Sequence, residues 1–332
     1  MRDGEGRQNS RPCPSESVKV DNNISFLNFN VRGLLPKIGN SDFIEYVCSH
    51  DVIIFTETYL LLDFDHSTKF DDYMCIQKCG WKLSQGGRPT GGVMILIKNS
   101  LKDHVTIKEC PYPNLLCCEF SKDVLGTEYP VLLTAIYNNP IDSPIYIGAE
   151  YDSILELLER MFINHIEEGV MYLYLTIGDY NSRIGSWGLE LTNEDNENPW
   201  AISNEFKRTS EDELINNFGR KLIEICVTFS FTPIHGLVDF SFPNKLTFHG
   251  ERGGSVIDFH VCSVELLEYV NDFKIETRIE SDHFPSVAIF AARKEIPKEK
   301  TEKLFVDKVM WDPAMAQEYY CLLYTSPSPR DS

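Results

Sequence analysis

Residues 171–185 read MYLYLTIGDYNSRIG. Met171 to Ile177 is an apolar run rich in Tyr, Leu and β-branched residues, and it predicts a buried strand. The run breaks at Gly178, Asp179, Tyr180 and Asn181. In an extended chain Asp179 and Asn181 fall on one side, about 7 Å apart. Gly178 lets a neighbouring backbone approach closely with no side chain between. A buried strand that ends on a carboxylate and a carboxamide is either closing in a turn or presenting a site.

The same ending recurs along the chain. ISFLNFNVRGL (24–34) closes on Asn28 and Asn30, with Gly33 turning the chain; DVIIFTETYL (51–60) carries Glu57 after a buried run. VLLTAIYNNP (131–140) stops at Tyr137, Asn138 and Asn139; SVIDFHV (255–261) sets Asp258 after Val256 and Ile257. IESDHFPSVAIF (279–290) puts Ser281, Asp282 and His283 just before a strand. One such residue is an ordinary turn former. Strands that lie side by side would bring all of them to one rim.

Strands are expected at 24–30, 51–56, 91–98, 115–120, 130–137, 171–178, 246–248, 256–262 and 286–292, and helices at 40–49, 150–167 and 211–229. In the second helix Ile154, Leu157, Leu158, Met161 and Phe162 share a face, with Asp152 or Ser153 as its cap. The third repeats that spacing with Leu214, Phe218, Leu222, Ile225 and Cys226. So many strands, flanked by amphipathic helices, predict two packed sheets clad by helices rather than one doubly wound sheet.

Residues 1–23 are polar and expected to be disordered. KEIPKEKTEKLF (294–305) opens a charged linker reaching to about residue 320, and CLLYTSPSPRDS (321–332) reads as a non-native tail. The chain has a formal charge of −19 and ten cysteines. Eight acids against two bases fall in residues 190–213, which reads as a solvated loop leading into a helix. Acidity of this size argues against broad, non-specific affinity for nucleic acid. No apolar run approaches the ~20 residues of a membrane span, and the N-terminus has no apolar secretory core. The expectation is therefore an intracellular chain with reduced thiols. Cys75 and Cys79 lie four apart without the partners of a zinc site.

The rim residues suggest one chemistry. Glu57 and Asp282 offer hard anionic oxygens suited to Mg²⁺ or Mn²⁺. Asn30, Asn181 and Tyr137 offer neutral polar contacts to a substrate oxygen or a water. His283 is a proton carrier or a donor to phosphate, and Asp258 is its natural orienting carboxylate. A divalent ion, a positioned water and an Asp–His pair make a phosphoesterase. No activated Ser or Cys accompanies them.

The motifs NVRGL (30–34), ETY (57–59), IYNNP (136–140), GDYNSRIG (178–185), LTF (246–248), SVIDF (255–259) and SDHFP (281–285) resemble, in order, those of the endonuclease/exonuclease/phosphatase superfamily. Together with RTSEDELINNFGRKLIEIC (208–226) and LTFHGERGGSVIDFHVCS (246–263), they are most similar to the apurinic-like endonuclease domain of non-LTR (LINE-type) retrotransposons. The resemblance covers about 24–293 as one catalytic domain and implies a four-layer α/β sandwich, two mixed sheets with helices outside. It also implies nicking of one DNA strand to leave a 3′-hydroxyl that primes reverse transcription, with a reverse transcriptase domain on the full-length chain and a nuclear site of action.

By position, the resemblance makes Glu57 the metal ligand, with Asp282 and Asn30 close to it. Asp179 and Asn181 would position and activate the water. Tyr137 would lie beside the scissile phosphate, and His283, oriented by Asp258, would stabilise it. Thr247 and Phe248 fall on the DNA-facing loop. HGERGG (249–254) would be a hairpin tip with Arg252 on phosphate, and Arg32 would also face substrate. Cellular abasic endonucleases have an acid where this chain has Arg32, which removes one metal ligand and favours the retrotransposon subgroup. Two alternatives remain open: a phosphatase or exoribonuclease of the same superfamily, which suits the acidic charge, and a domesticated, non-catalytic interaction module.

Overall fold

The computed structural model describes residues 23–82, 84, 87–191, 204–251 and 253–292. The expected N-terminal tail, the linker and tail after the domain, and Arg252 lie outside the described residues, as does much of the acidic stretch. The first half of the domain runs β1 (Asn23–Asn30), α1 (Ser41–Cys48), β2 (Val52–Thr56), β3 (Tyr73–Lys78), β4 (Val93–Lys98), β5 (Val105–Lys108), β6 (Leu115–Phe120) and β7 (Val131–Tyr137). It continues through α2 (Ile154–Glu167), β8 (Leu173–Asp179), β9 (Glu190–Leu191), β10 (Asn204–Glu205), α3 (Asn217–Phe229) and β11 (Phe231–Pro233). The last elements are β12 (Phe248–Gly250), β13 (Gly253–Ser255), β14 (Asp258–Ser263), β15 (Val270–Ile275) and β16 (Ser286–Ala291).

Twelve of these strands form two six-stranded sheets, ordered β15-β16-β1-β2-β4-β3 and β11-β14-β8-β7-β6-β5. Each sheet has a parallel pair at its centre, β1/β2 and β7/β8, with antiparallel neighbours outside. A parallel pair needs a crossover, and α1 and α2 lie in those two connections.

Three apolar layers hold the stack together. Between the sheets lie Phe26, Ile54, Ile95, Leu133, Leu175 and Phe290. On the outer face of the first sheet, Phe29, Phe55 and Leu96 meet Phe43 and Val47 of α1. On the outer face of the second, Tyr174 and Phe259 meet Leu158 and Phe162 of α2 and Ile225 of α3. This is the expected four-layer α/β sandwich.

The helices differ from expectation at their N-termini. Ser153 caps α2, its side chain accepting from the Glu156 N–H, and the five expected apolar residues are buried. By contrast α3 begins at Asn217, capped by Asn216, and Leu214 is 59% exposed instead of lying on the buried face. Asp212 explains the late start. Its carboxylate accepts from Arg183 and from the backbone N–H groups of Leu214 and Val256. Such local side-chain bonds compete with a helical turn.

Besides the short β9, β10 and β13, four strands escape a reading by apolar run: β3, β5, β11 and β15. These are the four edges of the two sheets. An edge strand is covered less than an interior one, so it needs a shorter or weaker apolar run. In β5 no residue is buried, and β15 buries only every third.

Candidate active site

Period-2 alternation decides where the polar rim lies. Along β8, Leu173, Leu175 and Ile177 point between the sheets, and the next residue in that series is Asp179. The same continuation places Asn28 and Asn30 after Ile24 and Phe26 on β1, and Tyr137 after Val131, Leu133 and Ala135 on β7. On β14 it runs back from Cys262 through His260 to Asp258. The site is thus the inter-sheet layer itself, with polar residues at one end. In the second sheet Tyr137, Asp179 and Asp258 are direct cross-strand neighbours on three adjacent strands.

Polar bonds tie the two sheets together at this end. Asn28 Nδ2 donates to the Gly178 carbonyl (3.2 Å), and Asn30 Nδ2 donates to Asp179 Oδ2 (2.9 Å) and Glu57 Oε1 (3.1 Å). Gly178 is required where β8 pairs with β7 in the second sheet. Its φ is +155°, and a Cβ would stand 1.8 Å from the Ile136 carbonyl oxygen.

Asn181 does not continue the extended chain as expected. Its φ is +47°, its N–H folds back onto Asp179 Oδ1 (2.9 Å), and its Nδ2 donates to the Asn138 carbonyl (2.7 Å). The strand closes in a turn in which Asn181 fixes the carboxylate of Asp179. Left-handed backbone is costly for residues other than glycine, and of the seven such residues among the described ones, four belong to this rim: Arg32, Glu57, Tyr59 and Asn181.

His283 Nδ1 lies 2.8 Å from Asp258 Oδ2, and both residues are buried. Burial opposes the imidazolium, but Asp258, and after it Asp179 and Glu57, outweigh burial and hold His283 at about 9. Burial pushes the Asp179 carboxyl up to about 8, with the Asp258 and Glu57 charges adding to it and His283 and the Asn181 N–H opposing. Tyr137 is driven well above the ordinary phenol value by burial and then by Glu57 and Asp179, so its hydroxyl remains a donor.

The other expected site residues fall as follows. Asp282 is paired with the Arg32 guanidinium, and Asn30 Oδ1 accepts from the Arg32 backbone N–H (3.1 Å). Phe248 packs its ring 4.8 Å from that of His283. Thr247 is fully buried rather than facing a ligand, and its hydroxyl accepts from the N–H groups of Ile257 (3.0 Å) and Asp258 (3.1 Å). It is a positioning residue for Asp258. β12 and β13 pair as the expected hairpin, and Arg252 lies outside the described residues.

Two contributors carry no signal in a strand-end reading. The Tyr59 hydroxyl donates to Glu57 Oε2, and the Arg88 guanidinium stacks 4.9 Å above the Tyr59 ring. Arg88 comes from the β3–β4 connection, distant in sequence, and only the fold brings it to Tyr59. ETY (57–59) did mark the tyrosine, but not its bond.

The donor set fits a hard divalent cation. Asp179, Asp258 and His283 bring ligand atoms within 4.8 Å of one another, and Asp258 Oδ1 is buried without a hydrogen-bond partner. The carboxyl groups of Glu57, Asp179 and Asp258 crowd against one imidazolium, and Asp179, raised first by burial, is raised further by the charges of Asp258 and Glu57. A cation of the Mg²⁺ class, which prefers oxygen donors, offsets those charges. The imidazole is the least suited ligand, because Asp258 favours its protonated form, which has no nitrogen lone pair to give.

No family model matches the sequence, and no curated protein sequence does either. Solved structures do match in shape. The AP endonuclease LMAP from Leishmania major is 16% identical with a TM-score of 0.58, covering 81% of this chain and 88% of that one. The endonuclease domain of TRAS1, a telomere-specific non-LTR retrotransposon, is 14% identical with a TM-score of 0.51, covering 82% and 100%. The 3′ phosphatase NExo from Neisseria, bound to a product DNA hairpin, is 15% identical with a TM-score of 0.51, covering 80% and 99%. They span several activities and single out no branch. At these identities the fold alone is shared: the chain has a four-layer α/β sandwich like theirs.

Proposed function

We propose that this chain is a divalent-metal-dependent phosphodiesterase that nicks one strand of DNA and leaves a 3′-hydroxyl. The observation that carries the reading is the convergence of Glu57, Tyr137, Asp179, Asp258 and His283 on one rim between the sheets. Asp179, fixed by Asn30 and the Asn181 N–H, takes the proton of a water as the water oxygen bonds to phosphorus. The P–O3′ bond breaks, and the leaving oxygen takes a proton from solvent. The His283 imidazolium donates to a non-bridging oxygen, where charge accumulates. Tyr137 donates alongside it. Mg²⁺, or Mn²⁺ in its place, would be held by Glu57 with Asp179 and Asp258 near, and supplies Lewis-acid charge to the phosphate. Asn30 and Asp282 serve that metal indirectly, since their oxygens are engaged by Arg32.

Arg32, beside Glu57, and Arg88, over the Tyr59 ring, are suited to phosphates beside the scissile one. The 3′-hydroxyl product suits target-primed reverse transcription, with a reverse transcriptase domain on a longer chain and a nuclear site of action. This reading rests on the ordered motifs and on the shape shared with the TRAS1 domain.

The charge of −19 and the likeness to a 3′ phosphatase favour a second reading, removal of phosphate from nucleic-acid ends. Duplex oligonucleotides with and without a 3′-phosphate separate the two. Nicking should give internal 3′ ends that a polymerase extends without prior phosphatase treatment. Release of inorganic phosphate from the 3′-phosphorylated duplex with no internal cleavage would replace the first reading by the second.

A further inference from the structure

A cavity of about 220 Å³ opens between the outer face of the second sheet and α2, lined by Cys110, Cys117, Met161, His165, Lys108 and neighbours. It lies across the sheet from the polar rim, since Cys117, Leu132 and Met161 belong to the outer apolar layer and Tyr137 and Asp179 point inward. Three sulfurs meet here. Cys117 Sγ lies 3.5 Å from Met161 Sδ, and the Cys110 and Cys117 thiols share a hydrogen bond. Cys118, Cys226 and Cys262 are different: each is closed into the core and behaves as a small hydrophobe.

We propose that Cys110, Cys117 and Met161 form a binding site for a soft monovalent cation of the Cu(I) class, entered through this cavity. Two thiolates and a thioether are a soft donor set. Two sulfurs each about 2.3 Å from one ion stand roughly 3.5 to 4.6 Å apart, so the Cys117–Met161 separation needs little adjustment. Among the described residues no histidine or carboxylate joins the two thiols as a third close ligand, which leaves a tetrahedral Zn²⁺ site incomplete. The thiols are already unequal. The hydrogen bond from Cys117, against burial and with help from the Lys78 ammonium, brings Cys110 down to about 7. The bond to Cys110 and burial push Cys117 up. Lys78 is held there by the Cys110 and Tyr112 carbonyls. Binding would form three metal–sulfur bonds and release the remaining thiol protons to solvent, with no electron transferred.

The test titrates Cu(I) into the full chain, without oxygen and with a non-thiol reductant, in competition with a chromogenic Cu(I) chelator. The native chain should withdraw one equivalent. Cys110→Ser should weaken binding more than about 100-fold and the volume-conserving Met161→Leu about tenfold, whereas Cys79→Ser should match the native chain. Circular dichroism confirms that each variant is folded, and Ag(I) should raise the native melting temperature but not that of Cys110→Ser. The proposal is overturned if the chelator keeps the Cu(I), if Cys110→Ser binds as the native chain does, or if Zn²⁺ displaces the ion.

Discussion

Asp179 and His283 sit in one electrostatic cluster, and their opposite needs set a pH window. In the proposed reaction Asp179 accepts a proton from water only when ionised, so activity is expected to rise as pH passes upward through a value near 8. His283 donates to phosphate only when protonated, so activity falls above about 9. A bound divalent cation favours the Asp179 carboxylate and disfavours the nearby imidazolium, so both limbs should lie lower with metal than without it. Asp258→Asn removes the charge that most raises His283, and its alkaline limb should move down by about one pH unit or more. Profiles of kcat/KM for native and variant chains check this, and an unmoved alkaline limb would remove His283 from the role. At this scale the residue types were readable from sequence: Asp258 with His283 is the expected pair, and Glu57 and Tyr137 converge as expected. The Arg32–Asp282 pair, the bond from Tyr59 and the approach of Arg88 were not readable, because each depends on a left-handed backbone or on a connection distant in sequence.

At the scale of elements, β8 decides both the fold and the site, and Gly178 is its most constrained residue. Gly178→Ala drives a Cβ into the Ile136 carbonyl, within the parallel pair at the centre of the second sheet. The expected cost exceeds about 4 kcal/mol, read as a lowered urea midpoint. A loss below 1 kcal/mol would mean the strands separate there easily. Interior strands were legible because both of their faces are buried and their sequences run apolar. The four edges were not, since a strand such as Val105–Lys108 buries too little to leave a pattern. The start of α3 was misplaced for a related reason. Apolar spacing extends back to Leu214, but the bonds of Asp212 and the Asn216 cap win locally.

Over the whole molecule, a charge of −19 makes DNA an electrostatically reluctant ligand. On the proposed function, binding would depend on a few cations at the rim: among the described residues Arg32, Lys37, whose ammonium donates to the Gly33 carbonyl, and Arg88. Each phosphate neutralised contributes about 0.9 to the slope of log affinity against log salt concentration. A slope of roughly −3 is expected on a catalytically inert variant, and Arg88→Ala should flatten it by about one. A slope steeper than about −6 would place the main contacts elsewhere. Whole-molecule architecture was legible because layering follows from strand number and amphipathic helices, whereas substrate choice depends on exposed groups that layering does not fix. The decisive measurement is conversion of supercoiled plasmid to open circles by the full chain with Mg²⁺, beside Asp179→Asn and His283→Ala. Mg²⁺-dependent nicking by the native chain, reduced at least about 100-fold in both variants, is the expected result. No nicking with Mg²⁺ or Mn²⁺, or nicking that both variants retain in full, would contradict it.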